Sequence, residues 1–334
     1  MASFPLLPNS APKLIGIARL ASAGQVLREG HGIEYFTLPA KSILNRSTST
    51  RMPFTWTINP YRGCEFACKY CYARYTHEFM EMRDGLEFER KIYVKQHAAD
   101  LLRQELRHVK FGEDIAIGTG TATDPYQPAE RKIEVTRGIL EELARHTDLD
   151  IGIVTKSDLV LRDIDLLKNL SRNNRLFVNI TVTTLKADLA RILEPRAPRP
   201  DLRLDAVHRL VQAGIQAGVI CAPVLPGITD APRDLEALVE ATAQVKGKYI
   251  FANPLFLKPC AAAVFMPFLE QEFPDLAKSY QQRYQQSAFL PKAYANRLSQ
   301  LMQRLRAKYG IRNSYERYQT RPPKPQKTAQ LALF

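Results

Sequence analysis

The chain has 334 residues, 45% of them hydrophobic, with a formal net charge of +13 at neutral pH, and that length can bury a sizeable core in one large domain or a domain with appendages. Its apolar runs, such as 220–228 and 261–269, are short and broken by proline, so no membrane-spanning segment is expected. Five free cysteines without a basic, apolar, small-residue leader indicate a reducing, cytoplasmic setting.

Taken in order, residues 1–53 mix Pro, Ser, Thr and Ala with weak periodicity outside 33–38, which predicts an extended, partly disordered lead-in. A short β-rich run follows at 54–58. Residues 69–82 and 96–109 read as helices, the second with Leu101, Leu102, Leu106 and Val109 on one face. Strands are predicted at 114–118, 150–155, 176–183, 216–223 and 249–253, and helices at 133–145, 159–170, 202–213 and 232–245. Six strands alternating with helices imply parallel βα units with right-handed crossovers, an α/β class. From 259 to 320 the pattern turns helical and basic, and 321–334, which begins R-P-P-K-P-Q-K, reads as a disordered tail. Residues 54–258 are thus the expected core. Residues 276–334 hold twelve Lys and Arg against the single acid Glu316, a balance of +11 that leaves only +2 for the rest and points to a polyanionic partner.

The densest chemistry lies at 59–72, N-P-Y-R-G-C-E-F-A-C-K-Y-C-Y, where Cys64, Cys68 and Cys71 stand within eight residues. Three thiols on such short loops cannot be a disulfide set. Soft thiolates at this spacing suit a cubane iron–sulfur cluster, with one iron left for a non-protein ligand. A zinc site completed by His77, and thiols sharing no metal at all, are the other readings of the same residues. Cys221 and Cys260 read as packing cysteines.

The C-x3-C-x2-C spacing, Tyr70 before the last cysteine, and the N-P-Y-R-G-C lead-in resemble the radical S-adenosylmethionine (SAM) enzymes, and within them the group related to spore photoproduct lyase. T-D-P-Y-Q-P-A-E at 123–130, T-K-S at 155–157, E-P-R-A-P at 194–198 and P-G-I-T-D at 226–230 agree, so the resemblance covers about residues 40–310. It implies a partial (β/α)6 TIM-like barrel whose chemistry gathers at the C-terminal strand ends. It implies a [4Fe–4S] cluster on Cys64, Cys68 and Cys71 and a SAM molecule on the open iron. Reductive cleavage would give a 5′-deoxyadenosyl radical that abstracts hydrogen from a substrate. An external reductant such as flavodoxin or ferredoxin is implied with it.

By the same resemblance Tyr70 lies where the adenine packs, Gly118, Thr119 and Gly120 where the methionine amino group binds, and Lys156 where the cofactor carboxylate is paired. Thr181 and Thr183, on one face of the fourth strand, could hydrogen-bond the cofactor; β-propensity alone also explains them. Asp124, Tyr126, Gln127 and Glu130 form a polar group at the second strand's mouth, read either as substrate-contacting and catalytic or as a turn with a helix cap. Glu194 and Arg196 are expected to pair as rim architecture.

One departure matters. Thr121 stands at about the place of the hydrogen-donating cysteine of spore photoproduct lyase, and a hydroxyl O–H bond is too strong to replace a thiol. Thymine-dimer repair by that route is therefore not expected. The preferred substrate class is nucleic acid, engaged through 276–328, whose tyrosines (Tyr280, Tyr284, Tyr294, Tyr309, Tyr315, Tyr318) are interleaved with cations and could stack on bases. Tyrosines packed on the barrel are the bland counterpart. A peptide or protein substrate, and a nucleic-acid-binding protein with a structural or redox-sensing cluster, are the competing functions.

Overall fold

The computed structural model describes residues 14–30, 32–47, 54–109 and 116–313. In chain order its strands are β1 (Val26–Gly30), β2 (Ile33–Leu38), β3 (Leu44–Arg46), β4 (Trp56–Ile58), β5 (Tyr61–Arg62), β6 (Lys91–Lys95), β7 (Ala116–Thr119), β8 (Asp150–Thr155), β9 (Arg175–Thr181), β10 (Gln216–Val224) and β11 (Ile250–Pro254). The main sheet runs β11-β10-β9-β8-β7-β4-β3. Every pair from β4 to β11 is parallel, and β3 closes one edge antiparallel to β4. This is the partial (β/α)6 TIM-like barrel, with a helical C-terminus.

The parallel strands are nearly continuous apolar runs because helices and barrel interior cover both faces. Ile151, Ile153, Val178, Ile180, Ala217 and Val219 are all fully buried. The amphipathic helices Ala98–His108, Val135–Leu143, Ile164–Asn173, Pro200–Gln212 and Pro232–Gln244 lay Leu102, Leu140, Leu167, Leu210 and Val239 on them.

Several boundaries differ from the sequence reading. The lead-in expected over 1–53 instead contains a helix, Gly16–Ser22, and three strands. Two of those strands, with β5 and β6, make a second sheet in the order β1-β2-β6-β5. The partner β6 is far away in sequence, so nothing local announces the pairing. The helix expected at 69–82 breaks into a 3-10 turn, Tyr72–Arg74, and the single turn Tyr75–Glu78. It ends there because the His77 carbonyl accepts from both Met80 and Met82. The 133–145 helix is cut at Glu134, which is left-handed at φ 56°. The short helix Ala187–Leu193 was not anticipated.

Beyond the sheet lie the helices Pro259–Glu272, Pro274–Tyr284 and Lys292–Lys308, the first two with proline in their opening turns. Phe265, Leu269 and Tyr280, fully buried, share an apolar cluster with Cys64, Cys68 and Phe66. The basic extension therefore packs on the cysteine loop. The tail expected at 321–334 lies outside the described residues. No helix among the described residues is long and apolar enough to cross a membrane.

Candidate active site

The cysteine loop leaves the C-terminal end of β4. At Gly63 the backbone turns left-handed (φ +84°), and a Cβ there would meet the carbonyl oxygens of Lys91 at 2.7 Å and Phe88 at 2.9 Å, so only glycine fits. Cys64 N–H donates to the Phe88 carbonyl at 2.9 Å, Ala67 is left-handed at φ 56°, and Cys71 N–H closes on the Cys68 carbonyl at 3.2 Å.

The segment after β7 clamps this loop. Thr123 Oγ1 and Gln127 Nε2 donate to the Gly63 carbonyl at 2.6 and 3.3 Å, and Gln127 Oε1 accepts from Glu65 N–H at 3.0 Å. Glu65 in turn accepts from Ala129 N–H at 2.7 Å and from the Tyr35 hydroxyl at 2.8 Å. Asn59 Oδ1 accepts from Ala122 N–H at 2.8 Å. Beneath the loop the buried Arg74 donates to the Cys68 carbonyl at 3.0 Å and to Glu89 at 2.6 Å.

The three thiols share one electrostatic neighbourhood. Burial pushes the Cys64 thiol well up, and the charges of Asp124, Cys68 and Cys71 add to this. Burial likewise pushes Cys68 up to about 12, against the pull of Lys156. Such thiols stay protonated until a metal replaces the proton. Among the described residues no three His, Cys, Asp or Glu close on a single metal ion. His77, the candidate fourth zinc ligand, is buried with Nε2 on the Lys91 carbonyl at 3.0 Å, and burial drops its pKa to about 4.

Beside Cys68 lies a buried polar well. Glu194 accepts from the Tyr70 hydroxyl and from Thr183 Oγ1 at 3.1 Å, and its second oxygen is 2.5 Å from Arg203 Nη1. Lys156 Nζ stands 4.0 Å from Glu194 and 5.7 Å from the centre of the Tyr70 ring. Burial pushes the Glu194 carboxyl up, but Arg203 and Lys156 outweigh it and hold it below the usual range. Burial pulls Lys156 down, but Cys68 and Glu194 overcome this and leave it raised. Arg203 also donates to the carbonyls of Thr181 at 3.1 Å and Pro198 at 2.7 Å.

The structure thus brings Tyr70, Lys156 and Thr183 together beside Cys68, with Thr181 contributing its backbone. The Tyr70 side chain is committed to Glu194. The expected partner of Glu194 is corrected: it is Arg203, while Arg196 donates its N–H to the Phe66 carbonyl. Sequence reasoning missed Arg203 because it sits in an ordinary amphipathic helix, and only the E-P-R-A-P motif pointed to its partner. At the end of β7, Gly118 lies against the Phe54 ring and Gly120 (φ +85°) under the Val154 carbonyl, so packing explains both glycines. Thr119 Oγ1 is buried without a hydrogen-bond partner, an orphaned polar atom where the resemblance places the cofactor amino group.

The candidates for catalysis fare differently. Asp124 is buried, and its oxygens accept from Tyr126 N–H at 2.9 Å, Thr155 Oγ1 at 2.6 Å and Lys156 N–H at 2.8 Å. It links two strand ends close to Cys64. Tyr126 and Glu130 are fully buried. Glu130 accepts from the Tyr61 hydroxyl, Thr136 N–H at 2.9 Å, Arg137 N–H at 3.2 Å and Arg162 at 2.9 Å. Glu130 is thus enclosed by its own donors, whereas the Tyr126 hydroxyl is buried without a hydrogen-bond partner. Cys221 is a fully buried packing cysteine.

A six-stranded parallel barrel carrying three thiols in the loop after its first strand is the arrangement of radical SAM proteins. Residues 58–240, more than half of the chain, match the Radical SAM superfamily, and the chain belongs to it. It is 32% identical over 318 residues to an uncharacterized protein of Mycobacterium tuberculosis, covering 95% of this chain and 90% of that one. It is 32% identical over 244 residues to an uncharacterized protein of Methanocaldococcus jannaschii, covering 73% and 85%. Its fold is similar to spore photoproduct lyase complexed with dinucleoside spore photoproduct, at TM-score 0.63 and 17% identity over 91% of this chain and 85% of that one. A variant of that lyase with bound AdoMet and the same dinucleoside has TM-score 0.56 and 15% identity, covering 80% and 76%.

Proposed function

We propose that the protein is a radical SAM enzyme acting on nucleic acid. Cys64, Cys68 and Cys71 would hold a [4Fe–4S] cluster, and Lys156 with the β7 end around Thr119 would hold SAM. When bound and reduced by an external donor of the flavodoxin or ferredoxin kind, these groups supply a 5′-deoxyadenosyl radical for hydrogen abstraction. The chain's own part is to seat, orient and shield them. The clamp from Thr123, Gln127 and Glu65 fixes the loop that carries the thiols. Lys156 puts a positive charge beside the thiolates, where an anionic ligand group can meet it. Apolar packing by Phe66, Phe265 and Leu269 keeps water from the loop.

The observation that carries this reading is the sharing of one charged neighbourhood by the three thiols and the partly buried Lys156, 4.0 Å from Glu194 and 5.7 Å from the Tyr70 ring centre. The nucleic-acid preference rests on the +11 balance of residues 276–334. Thr121 is bonded through its side chain to Asn59 and through its carbonyl to Tyr72, and it offers no thiol. Repair through a cysteine donor at that place is not part of the proposal.

Anaerobically reconstituted protein, given dithionite and SAM, is expected to release 5′-deoxyadenosine, and label from a deuterated nucleic-acid substrate should appear in it. Cys64→Ala, Cys68→Ala or Cys71→Ala should each abolish the product and most of the iron. Iron content unchanged by all three would overturn the proposal. An intact cluster with no 5′-deoxyadenosine would favour the competing reading, a binding protein whose cluster is structural.

A further inference from the structure

Among the described residues, each tyrosine of the basic extension has its hydroxyl tied to the barrel. Tyr280 donates its hydroxyl to the Pro226 carbonyl at 2.8 Å, Tyr284 to Leu255 at 3.0 Å, Tyr294 to Asp230 at 2.8 Å and Tyr309 to Glu236 at 3.2 Å. Each is pinned to the barrel, and Tyr315 and Tyr318 lie outside the described residues. A different set of rings occupies the surface next to the cysteines.

Past β11 the chain stays extended, burying Leu255 and Leu257 and turning Phe256 and Lys258 outward. The loop between the last two helices pairs with it: Leu257 N–H donates to the Ala288 carbonyl at 2.9 Å, and Phe256 and Phe289 form a backbone bridge. Their rings stack at 4.4 Å between centroids and 29° between planes. Tyr72, directly after Cys71, flanks the pair at 6.3 Å from Phe256 with its ring tilted 53° to that of Phe256, and its hydroxyl is held on the Thr121 carbonyl. Phe289 is 47% exposed and Tyr72 39%. Two residues from Phe256, Lys258 places its ammonium 3.8 Å from the centre of the Tyr75 ring, and Phe79, 58% exposed, packs on the edge of that ring.

We infer that Tyr72, Phe256 and Phe289 form a stacking platform that receives an unpaired base of a single-stranded nucleic acid beside the cysteine loop. The inference rests on the nucleic-acid reading above. Large half-exposed rings grouped together are costly on a surface unless something planar covers them. Every base has a π-face, and stacking on aromatics needs no particular sequence. Phe289 is delivered by the same 276–334 segment that carries the positive charge, so backbone attraction and base stacking come from one part of the chain. A platform next to Cys71 would also set a base close to where the radical is made.

The test uses the full-length reconstituted protein and a labelled single-stranded oligonucleotide of about 12 nucleotides, with its duplex as comparison. Phe289→Ala is expected to weaken single-strand binding about tenfold, and the double change with Phe256→Ala further, with duplex binding and the salt slope unmoved. Phe289→Trp should restore it, and 5′-deoxyadenosine release without substrate should be unaltered. If the unmodified protein binds the single strand and Phe289→Ala binds it equally well, the platform is wrong while the nucleic-acid reading stands. If the unmodified protein binds neither strand form, both fall. If an aromatic-rich peptide, and not the oligonucleotide, depends on Phe289, the platform serves a peptide and the inference is overturned.

Discussion

Glu130 and Glu194 are the same device used twice. Each is a fully buried carboxylate that takes a tyrosine hydroxyl, from Tyr61 or Tyr70, and faces an arginine, Arg162 or Arg203. The difference is what completes the shell. Around Glu130 the remaining donors are the backbone N–H groups of Thr136 and Arg137, so the network closes on itself. Around Glu194 one neighbour is Lys156, 4.0 Å off, with 15% of its side chain exposed and its charge acting on Cys68. On the proposed reading, burial and charge alone do not mark the working site, and an edge left facing the thiols does.

The largest test of this contrast is removal of each acid. Glu130→Ala should cost about 3–5 kcal/mol, because the Tyr61 hydroxyl, the Thr136 and Arg137 N–H groups and one Arg162 nitrogen all lose their acceptor, and the survivors should bind iron and SAM normally. Glu194→Ala should be as destabilising in thermal unfolding and should in addition weaken SAM binding. Equal SAM affinity in both variants would erase the distinction.

Lys95 sharpens it from the cationic side, since among the described residues no ion pair involves its side chain. Burial drops its pKa to about 7, with Arg62 adding to the fall and Glu105 opposing it. The unfolded chain holds that proton up to about pH 10.4. Stability should thus be lowest below pH 7 and rise as pH climbs through the interval, because the unfolded state binds more protons there. Lys95→Met should raise Tm most below pH 7 and flatten that slope, an effect on the order of 4 kcal/mol at its limit. A Tm gain independent of pH would show that packing, not charge burial, is the cause.

The smallest effect belongs to Lys156→Met. SAM affinity of the reconstituted protein, read by calorimetry, should fall about tenfold, the scale of one charge-assisted hydrogen bond. The fold should hold, because Glu194 keeps Arg203 at 2.5 Å. Unchanged affinity would leave the Glu194 well as architecture, like its twin.

Much of the molecule was legible before any fold was known. The six parallel strands stand within a few residues of their predicted places, because βα units announce themselves through local alternation of buried strand and amphipathic helix. The thiol trio was visible because three cysteines within eight residues have few chemical uses. The second sheet was not visible, since β2 pairs with β6 across more than fifty residues and neither shows a partner nearby. T-D-P-Y-Q-P-A-E drew notice as a polar motif, and two of its polar residues, Thr123 and Gln127, clamp the cysteine loop. That purpose appears only when Gln127 and Thr123 meet Gly63.

Sequence alone, then, determined the class of fold, the grouping of three cysteines in one short loop and the excess of positive charge, all of which follow from short-range pattern and composition. Tertiary structure decided which buried carboxylate lies beside the thiols, that Arg203 pairs with it, and that Phe256 and Phe289 stack near the loop that carries them. The reason is physical. A side chain's type is written in the chain, whereas the number of donors that reach it and the solvent left around it are set by residues brought together from distant strands.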